Sequence, residues 1–209
     1  MTPTRTSDIL AGLQKLYPDA ACELNFGNPL ELLVATILSA QCTDKRVNLV
    51  TPELFKKYRT AKDFAESEPA ELEAAVRTTG FFRSKAQSIR EACRKIVEQF
   101  GGQVPRTMED ILTLRGVARK TANVVLGTAY KTAAGVVVDT HVKRLAYRMG
   151  LSDKKDPEKI EQDLMTMVSQ KDWIFFGHAM TWHGRRVCHA ANPDCPGCIL
   201  NKICPKRGV

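Results

Sequence analysis

The chain has 209 residues, of which 44% are hydrophobic and 26% are charged, a composition that permits one sizeable core or two small domains. Thirty-one Lys and Arg residues against 23 Asp and Glu residues give a formal net charge of +8. Such a surplus attracts polyanions, and nucleic acid is the foremost of them, although an ordinary basic protein has the same composition.

No segment predicts export or membrane insertion. The most apolar stretch, LELLVATILSA at residues 30–40, is too short to cross a bilayer, and the N-terminus lacks the apolar run of a signal peptide. The seven cysteines, an odd number, argue against a disulfide framework and for thiols or a metal site in a reducing compartment. We therefore expect a cytoplasmic protein.

Apolar residues recur at helical spacing along almost the whole chain, which predicts an all-α fold. Prolines that follow capping residues predict four helix starts, at Asn28-Pro29, Thr51-Pro52, Glu68-Pro69 and Asp156-Pro157. The longest helix is predicted over about 82–100, with Val97 among its inward residues and Gly101-Gly102 ending it. The last helix is predicted over 173–186. The run Val136–Val138 is too short and solitary to form a sheet.

Four cysteines lie close together in the tail CHAANPDCPGCILNKIC. The spacing C-x6-C-x2-C-x5-C is typical of ligands that wrap one metal centre, and these ligands are Cys188, Cys195, Cys198 and Cys204. By spacing alone, tetrahedral zinc is at least as good an interpretation as an iron–sulfur cluster. The other three cysteines, Cys22, Cys42 and Cys93, are most simply small buried hydrophobes.

The stretch TLRGVARKTANVV predicts a helix, a tight glycine turn and a second helix. Such a turn presents backbone N–H groups at a helix N-terminus, where the helix dipole favours an anion such as a DNA phosphate. Lys120 lies in the first turn of the second helix, beside Arg119. If burial and neighbouring charge sheltered its amine, the amine would shed its proton and act as a nucleophile; otherwise it only pairs with a phosphate.

Asp139 opens the segment DTHVKRLAYRMG, which has a helical pattern. Asp is a favoured N-cap, and this is the simplest interpretation of the residue. An ionised carboxylate facing a ribose ring would also stabilise the cation that forms as a base departs, or would orient a lysine. Taken singly, these residues leave both interpretations open.

In combination, the residues resemble the endonuclease III family of the helix-hairpin-helix superfamily of DNA glycosylases. The glycine hairpin with Lys120, the VDTH segment with Asp139 and the four-cysteine tail carry the resemblance. It extends over essentially the whole chain and includes LLVATILSAQCTDKRVN and GFFRSKAQSI.

The resemblance implies two helical lobes with a DNA-binding cleft between them. A six-helix barrel would comprise residues 23–135, and residues 1–22 plus 136–209 would form a domain that carries a [4Fe-4S] cluster on the four tail cysteines. Lys120 and Asp139 would come from different lobes. The implied protein is a monomer, associated with the nucleoid if bacterial, and its partner is double-stranded DNA that contains a damaged base or an abasic site.

The implied chemistry is removal of an oxidised pyrimidine, such as thymine glycol, from an extruded nucleotide. Lys120 would attack C1′ while Asp139 offsets the positive charge, and the resulting Schiff base would allow β-elimination, an AP lyase activity. Gln41 matches a residue that fills the space left by the flipped base, Phe81 matches a wedge against the opposite strand, and His141 faces the base pocket. The alternatives are a helix-terminal polar residue for Gln41 and core packing for Phe81.

The hairpin itself departs from the family pattern. The family usually has Leu-Pro-Gly-Val-Gly, whereas this chain has Leu114-Arg115-Gly116-Val117-Ala118. Arg115 replaces a proline and is expected to contact a phosphate, as are Gly116, Ala118 and Arg119. A Cβ at Ala118 is expected to cost about 1 kcal/mol, if the backbone there needs a positive φ.

Three alternatives to this interpretation differ in specific residues. The related adenine-mismatch glycosylases lack the hairpin lysine and carry a further C-terminal domain, and 8-oxoguanine glycosylases generally lack the cysteine tail. A non-catalytic DNA-binding module with a metal-stabilised tail would use Lys120 only to grip phosphate.

Overall fold

The computed structural model describes residues 3–209, and it describes side chains from Arg5 onward. The described residues form helices and connecting turns with no strand, which confirms the all-α prediction. The α-helices are α1 Pro3–Leu16, α2 Pro29–Leu38, α3 Asp44–Lys57, α4 Ala61–Ala65, α5 Pro69–Val76, α6 Phe82–Phe100, α7 Met108–Leu112, α8 Arg119–Tyr130, α9 Thr140–Arg148, α10 Pro157–Met167 and α11 Trp173–Arg186. Short 3-10 turns lie at Arg77–Thr79 and Gln170–Asp172.

Most of the helix ends follow the predicted capping signals. The side chain of Asn28 accepts a hydrogen bond from the Glu31 N–H at 2.9 Å, and α6 ends at Gly101, which has a φ of 58°. One predicted start is wrong, because Pro52 lies inside α3, which begins after the Thr43 N-cap. Pro52 cannot donate to the preceding turn, but buried residues on both sides of it, Val47, Thr51 and Leu54, keep the helix continuous.

One of the residues of α6 that were predicted to face inward is exposed instead. Val97 is exposed, whereas Ile89, Cys93 and Ile96 are buried. The buried positions 89, 93 and 96 define one stripe at helical spacing, and Val97 lies next to that stripe rather than on it.

One compact unit comprises Glu23–Thr132. Its central helix is α2, in which every residue from Leu32 to Leu38 is buried. This helix packs against α3, α6 and α8, while α4 and α5 pack on α6. The glycine hairpin between α7 and α8 is therefore built directly on the core of this unit.

The second unit comprises Met1–Cys22 and Ala133–Val209. Within it α11 packs against α9 and α1. The core residues include Ile9, Leu13, Val136, Val138, Val142, Leu145, Phe176 and Met180. The run Val136–Val138 is thus buried as irregular chain rather than as a strand.

The boundary between the units lies after Thr132, whereas the sequence analysis assigned residues up to 135 to the barrel. A hydrogen bond shows where the intervening residues belong. Gln170 Nε2 donates to the Ala133 carbonyl at 3.0 Å, which ties Ala133 to the second unit.

Within residues 3–209, every helix is too short or too polar to serve as a membrane span.

Candidate functional site

The hairpin between α7 and α8 turns at Gly116, which has a φ of 78°. A Cβ at this position would lie 2.8 Å from Ser88 Cβ on α6, closer than carbon atoms can pack. Both the left-handed backbone and the close approach therefore require glycine here. The Val117 N–H donates to the Leu114 carbonyl at 3.2 Å and closes the turn.

Ala118 is the N-cap of α8, and its φ is −93°. The expected backbone cost at this residue is therefore wrong, because an extended φ suits alanine as well as glycine. An alanine cap supplies no side-chain oxygen to the N–H groups of the first helical turn. An anion at the N-terminus of α8, which the sequence analysis predicts, would therefore meet no competing side-chain cap.

Lys120 lies in the first turn of α8 and is exposed, while its neighbour Arg119 is half-buried. The folded chain therefore does not itself bury the Lys120 side chain. The neighbouring Ala118 and Gly116 are exposed as well, so this end of the hairpin forms an open cationic surface. Any shielding of the Lys120 amine has to come from whatever binds that surface.

Arg115 lies beside the turn and is paired within the chain. Its Nη1 donates to Glu91 Oε2 on α6 at 2.8 Å. This hydrogen bond holds the pKa of Glu91 below its usual range, and a second bond from Gln87 acts in the same direction. A phosphate at Arg115 would therefore compete with a carboxylate that the hairpin already binds.

Asp139 is the N-cap of α9, as predicted. Its Oδ1 accepts from the Val142 N–H at 2.8 Å, and Thr181 Oγ1 on α11 lies 3.3 Å from its Oδ2. The Thr181 hydroxyl also lies 3.0 Å from the Gly177 carbonyl, so its one proton serves either acceptor. These contacts fix the orientation of a half-buried carboxylate.

His141 is held by the close packing of α9 on α11. A Cβ at Gly184 would lie 2.8 Å from His141 Cβ, so glycine permits this approach. Arg144 Nη2 lies 3.3 Å from His141 Nδ1 and donates to the Gly184 carbonyl at 2.9 Å. The same Nη2 donates to the Cys188 carbonyl at 2.8 Å, so its two protons bind carbonyls at both ends of this packing contact.

Gln41 and Phe81 both occupy left-handed backbone conformations, with φ values of 52° and 49°. Such values are uncommon for residues other than glycine and concentrate where function holds the chain in a strained state. Gln41 lies in the turn beyond the end of α2 and is exposed, and Phe81 is 66% exposed. Core packing is therefore the wrong interpretation of Phe81.

Lys85, which the sequence analysis did not single out, lies between these two turns. It is only 5% exposed, and its Nζ donates to the carbonyls of Leu38 at 2.8 Å and Thr79 at 2.7 Å. Burial lowers its pKa. The sequence did contain a signal for its burial. Lys85 lies four residues before Ile89, and therefore on the same apolar stripe of α6.

The four tail cysteines line one largely apolar pocket. Two of their sulfur atoms accept from nitrogen donors at 3.4 Å: Cys188 Sγ from Arg148 Nη1, and Cys198 Sγ from the Leu200 N–H. Burial raises the pKa of the Cys198 and Cys204 thiols. Among the described residues, no group of three or more His, Cys, Asp or Glu side chains has the geometry of a single-ion site.

The remaining cysteines behave differently from one another. Burial raises the pKa of Cys93 to about 12, in agreement with a small core residue. Cys22 and Cys42 are only half-buried, so the prediction that all three are core residues is wrong for these two.

His183 is a second residue that the sequence analysis missed. It is fully buried, and burial lowers its pKa to about 4, so the ring is neutral at physiological pH. Its Nδ1 lies 3.1 Å from the Tyr17 hydroxyl and its Nε2 lies 3.4 Å from Cys198 Sγ. In the tautomer with the proton on Nε2, the tyrosine hydroxyl donates to Nδ1 and Nε2–H donates to the sulfur; in the other tautomer, Nδ1–H donates to the hydroxyl and Nε2 accepts from the thiol.

Comparison with known proteins decides the family. The model of the HhH-GPD superfamily of base excision DNA repair proteins matches residues 34–170, which include the hairpin, Lys120 and Asp139. The chain belongs to this superfamily. Endonuclease III of Synechocystis sp. is 55% identical over 201 residues, which cover 96% of this chain and 92% of that protein.

Other HhH-GPD relatives extend the match over nearly the full length. Endonuclease III of Escherichia coli K12 is 36% identical over 204 residues, 98% of this chain and 96% of that protein. A solved structure of a trapped endonuclease III–DNA covalent intermediate has a TM-score of 0.94 at 40% identity, covering 99% of this chain and 97% of that one. These findings confirm the resemblance to endonuclease III and the glycosylase fold.

The chain is therefore a DNA glycosylase of base excision repair, and the alternative of a non-catalytic binding module is wrong. The roles of the individual residues remain predictions. The geometry separates them into two groups, with Gln41, Phe81, Arg115 and Lys120 in the first unit and Asp139 and His141 in the second.

The hairpin geometry yields a prediction about its two small residues. Gly116→Ala should lower the free energy of unfolding by roughly 1–3 kcal/mol, because it places a Cβ on a left-handed backbone against Ser88. Ala118→Gly, the matched control, should change it by less than about 1 kcal/mol, because the φ of Ala118 is already ordinary. Urea denaturation measures both values, and a tolerated Gly116→Ala would contradict the assignment.

Proposed function

We propose that the enzyme removes oxidised pyrimidines such as thymine glycol from duplex DNA and cleaves the strand through a Schiff base on Lys120. The observation that carries this proposal is the exposed amine of Lys120, beside a helix N-terminus with no side-chain cap. An anionic DNA backbone suits that terminus. Lys120, the second residue of α8, would then lie next to a bound sugar–phosphate, where its amine could act as a nucleophile.

The proposed reaction begins with attack of the unprotonated Lys120 amine on C1′ of an extruded nucleotide. The C1′–base bond breaks, the departing base takes the electron pair and a proton, and the nitrogen loses a proton. Asp139 stabilises the positive charge that develops on the sugar. The sugar ring opens to a Schiff base, whose acidity at C2′ allows β-elimination of the 3′ phosphate. Bound DNA excludes water from an amine that the folded chain leaves exposed.

We assign the DNA contacts to the exposed turns around this lysine. Gln41 would fill the space of the extruded base, and Phe81 would wedge against the opposite strand, in keeping with their exposed, left-handed positions. Arg115, Gly116, Ala118 and Arg119 would hold phosphates at the hairpin. Nε2 of His141 would face the base.

We also propose that the tail holds a [4Fe-4S] cluster on Cys188, Cys195, Cys198 and Cys204. The donor set fits, because four thiolates are the ligands of such clusters and all four cysteines line one pocket. Nitrogen donors from Arg148 and Leu200 satisfy two of the sulfurs. A bound cluster would supply the crosslink that holds the tail in one conformation.

We infer that the enzyme acts as a monomer in the cytoplasm, at the nucleoid if the source is bacterial. The location follows from the proposed substrate, because a bacterium keeps its duplex genomic DNA in the cytoplasm. The thiol-rich tail is consistent with a reducing compartment.

The Schiff base provides the first test. Borohydride should trap a covalent complex between the enzyme and a duplex that contains thymine glycol, and Lys120→Ala should abolish trapping while retaining duplex binding. Lys131→Ala, at the opposite end of α8, is the matched control and should trap normally. Trapping that survives Lys120→Ala, or that never occurs with the intact enzyme on any lesion of a panel, would refute the mechanism.

One substitution distinguishes the effect of the Asp139 charge on catalysis from the effect of its N-cap hydrogen bond on stability. Asp139→Asn should slow base excision roughly 10²–10³-fold, because it removes the charge that stabilises the sugar cation. Its melting temperature should hardly change, because asparagine caps helices as well as aspartate does. Asp156→Asn makes the same substitution at the N-cap of α10 and should leave excision unchanged. If Asp139→Asn excised the base at the parental rate, the proposed role of Asp139 would be refuted.

The metal content distinguishes iron–sulfur from zinc. The purified enzyme should be brown and contain iron and inorganic sulfide in equal amounts, and Cys198→Ala should lose the colour and unfold the tail. Cys22→Ala, a substitution outside the tail, should keep the brown colour and the folded tail. A colourless protein that contains stoichiometric zinc would contradict the cluster.

A further inference from the structure

Two exposed turns in the first unit hold strained residues. Gln41 follows the end of α2, and Phe81 follows Gly80, whose φ of 72° makes two residues in succession with a positive φ. The Ser39–Cys42 turn is closed by the Cys42 N–H, which donates to the Ser39 carbonyl at 3.0 Å. Left-handed residues other than glycine persist only where the surrounding structure over-determines them.

Lys85 supplies a direct link between these turns. One of its bonds goes to Leu38, the last residue of α2, and the other to Thr79, the last residue of the 3-10 turn before Gly80. Its own backbone N–H donates to the Phe81 carbonyl at 3.0 Å. One buried side chain therefore joins the backbone immediately before each turn.

The choice of lysine at this position has a physical reason. A position on the apolar stripe of α6 would ordinarily take an aliphatic residue, and burying an ammonium group is costly unless its donors are satisfied. Carbonyls at a helix end lack intrahelical partners and carry the negative end of the dipole, so they accept from a cation well. An apolar side chain would leave both carbonyls without this donor.

We propose that Lys85 is a positioning residue that couples the two turns, so that Gln41 and Phe81 enter the DNA as one rigid unit. The proposal rests on the proposed function, in which these two residues act on the extruded base and its partner strand. Lys85 itself is buried and does not touch DNA. Its effect reaches the substrate only through the positions of the Leu38 and Thr79 carbonyls.

The test uses Lys85→Met, which keeps the length of the side chain and removes its donors. Stopped-flow fluorescence of 2-aminopurine beside the lesion reports extrusion of the damaged nucleotide by the full-length enzyme. Lys85→Met should slow extrusion roughly tenfold or more, because misplacements of about 1 Å have effects of this size. The matched control is Lys95→Met on the same helix, where Lys95 Nζ lies 3.4 Å from the Thr113 carbonyl near the protein surface.

Coupling is distinguished from general destabilisation by two comparisons. An Ile89→Ala enzyme with a similar loss of melting temperature should extrude the nucleotide at nearly the parental rate. The effects of Lys85→Met should also be strongly non-additive with Gln41→Ala and with Phe81→Ala, because these changes disable the same unit. If Lys85→Met does not fold, Lys85→Gln takes its place and should give the same results, because its side chain is one atom shorter and its amide cannot reach both carbonyls as Lys85 Nζ does.

The outcomes distinguish a failure of the coupling through Lys85 from a failure of the DNA contacts assigned to Gln41 and Phe81. If Gln41→Ala and Phe81→Ala each slow extrusion while Lys85→Met matches the Ile89→Ala enzyme, or its effect is simply additive, coupling through Lys85 is refuted. If neither Gln41→Ala nor Phe81→Ala slows extrusion, the assigned DNA contacts fail, and the role of Lys85 fails with them.

Discussion

The contact between the backbone of Gly116 and Ser88 determines where α8 begins, and hence where Lys120 lies. No other residue fits there, because the backbone is left-handed and the space beyond Cα is already filled. Ser88 belongs to α6, the helix on which α4 and α5 also pack. The exposed lysine is therefore placed by a close backbone contact several residues away from it, and its position does not depend on its own side-chain packing.

Contacts with neighbouring residues also fix two half-buried residues of the second unit. Asp139 is oriented by the Val142 N–H and Thr181, and His141 by the approach of Gly184. In each case a neighbouring residue restricts the position of a side chain to which we assign a role. A glycosylase needs such preorganisation because it must hold an extruded nucleotide against the stacking energy of the duplex.

Local signals predicted those features that depend on local physics. The bounds of α6 followed from its periodicity and from Gly101-Gly102, and the cap at Asp139 followed from residue type. Pro52 was misassigned because tertiary packing outweighs one lost hydrogen bond. The exposure of Lys120 and the φ of Ala118 depend on the assembled hairpin. The partners of Lys85 and His183 include residues 47 and 166 positions distant, so no local pattern reports them.

The pairing of Arg115 with Glu91 has a consequence for the thermodynamics of DNA binding. A cation that meets a DNA phosphate normally releases a condensed counterion, and the resulting entropy makes affinity fall steeply with salt. If Arg115 binds a phosphate, as we propose, the group that it releases is a carboxylate of the same chain, which stays attached and has to be resolvated. This arginine would contribute less to the salt dependence than its charge suggests, and the freed Glu91 would face the polyanion.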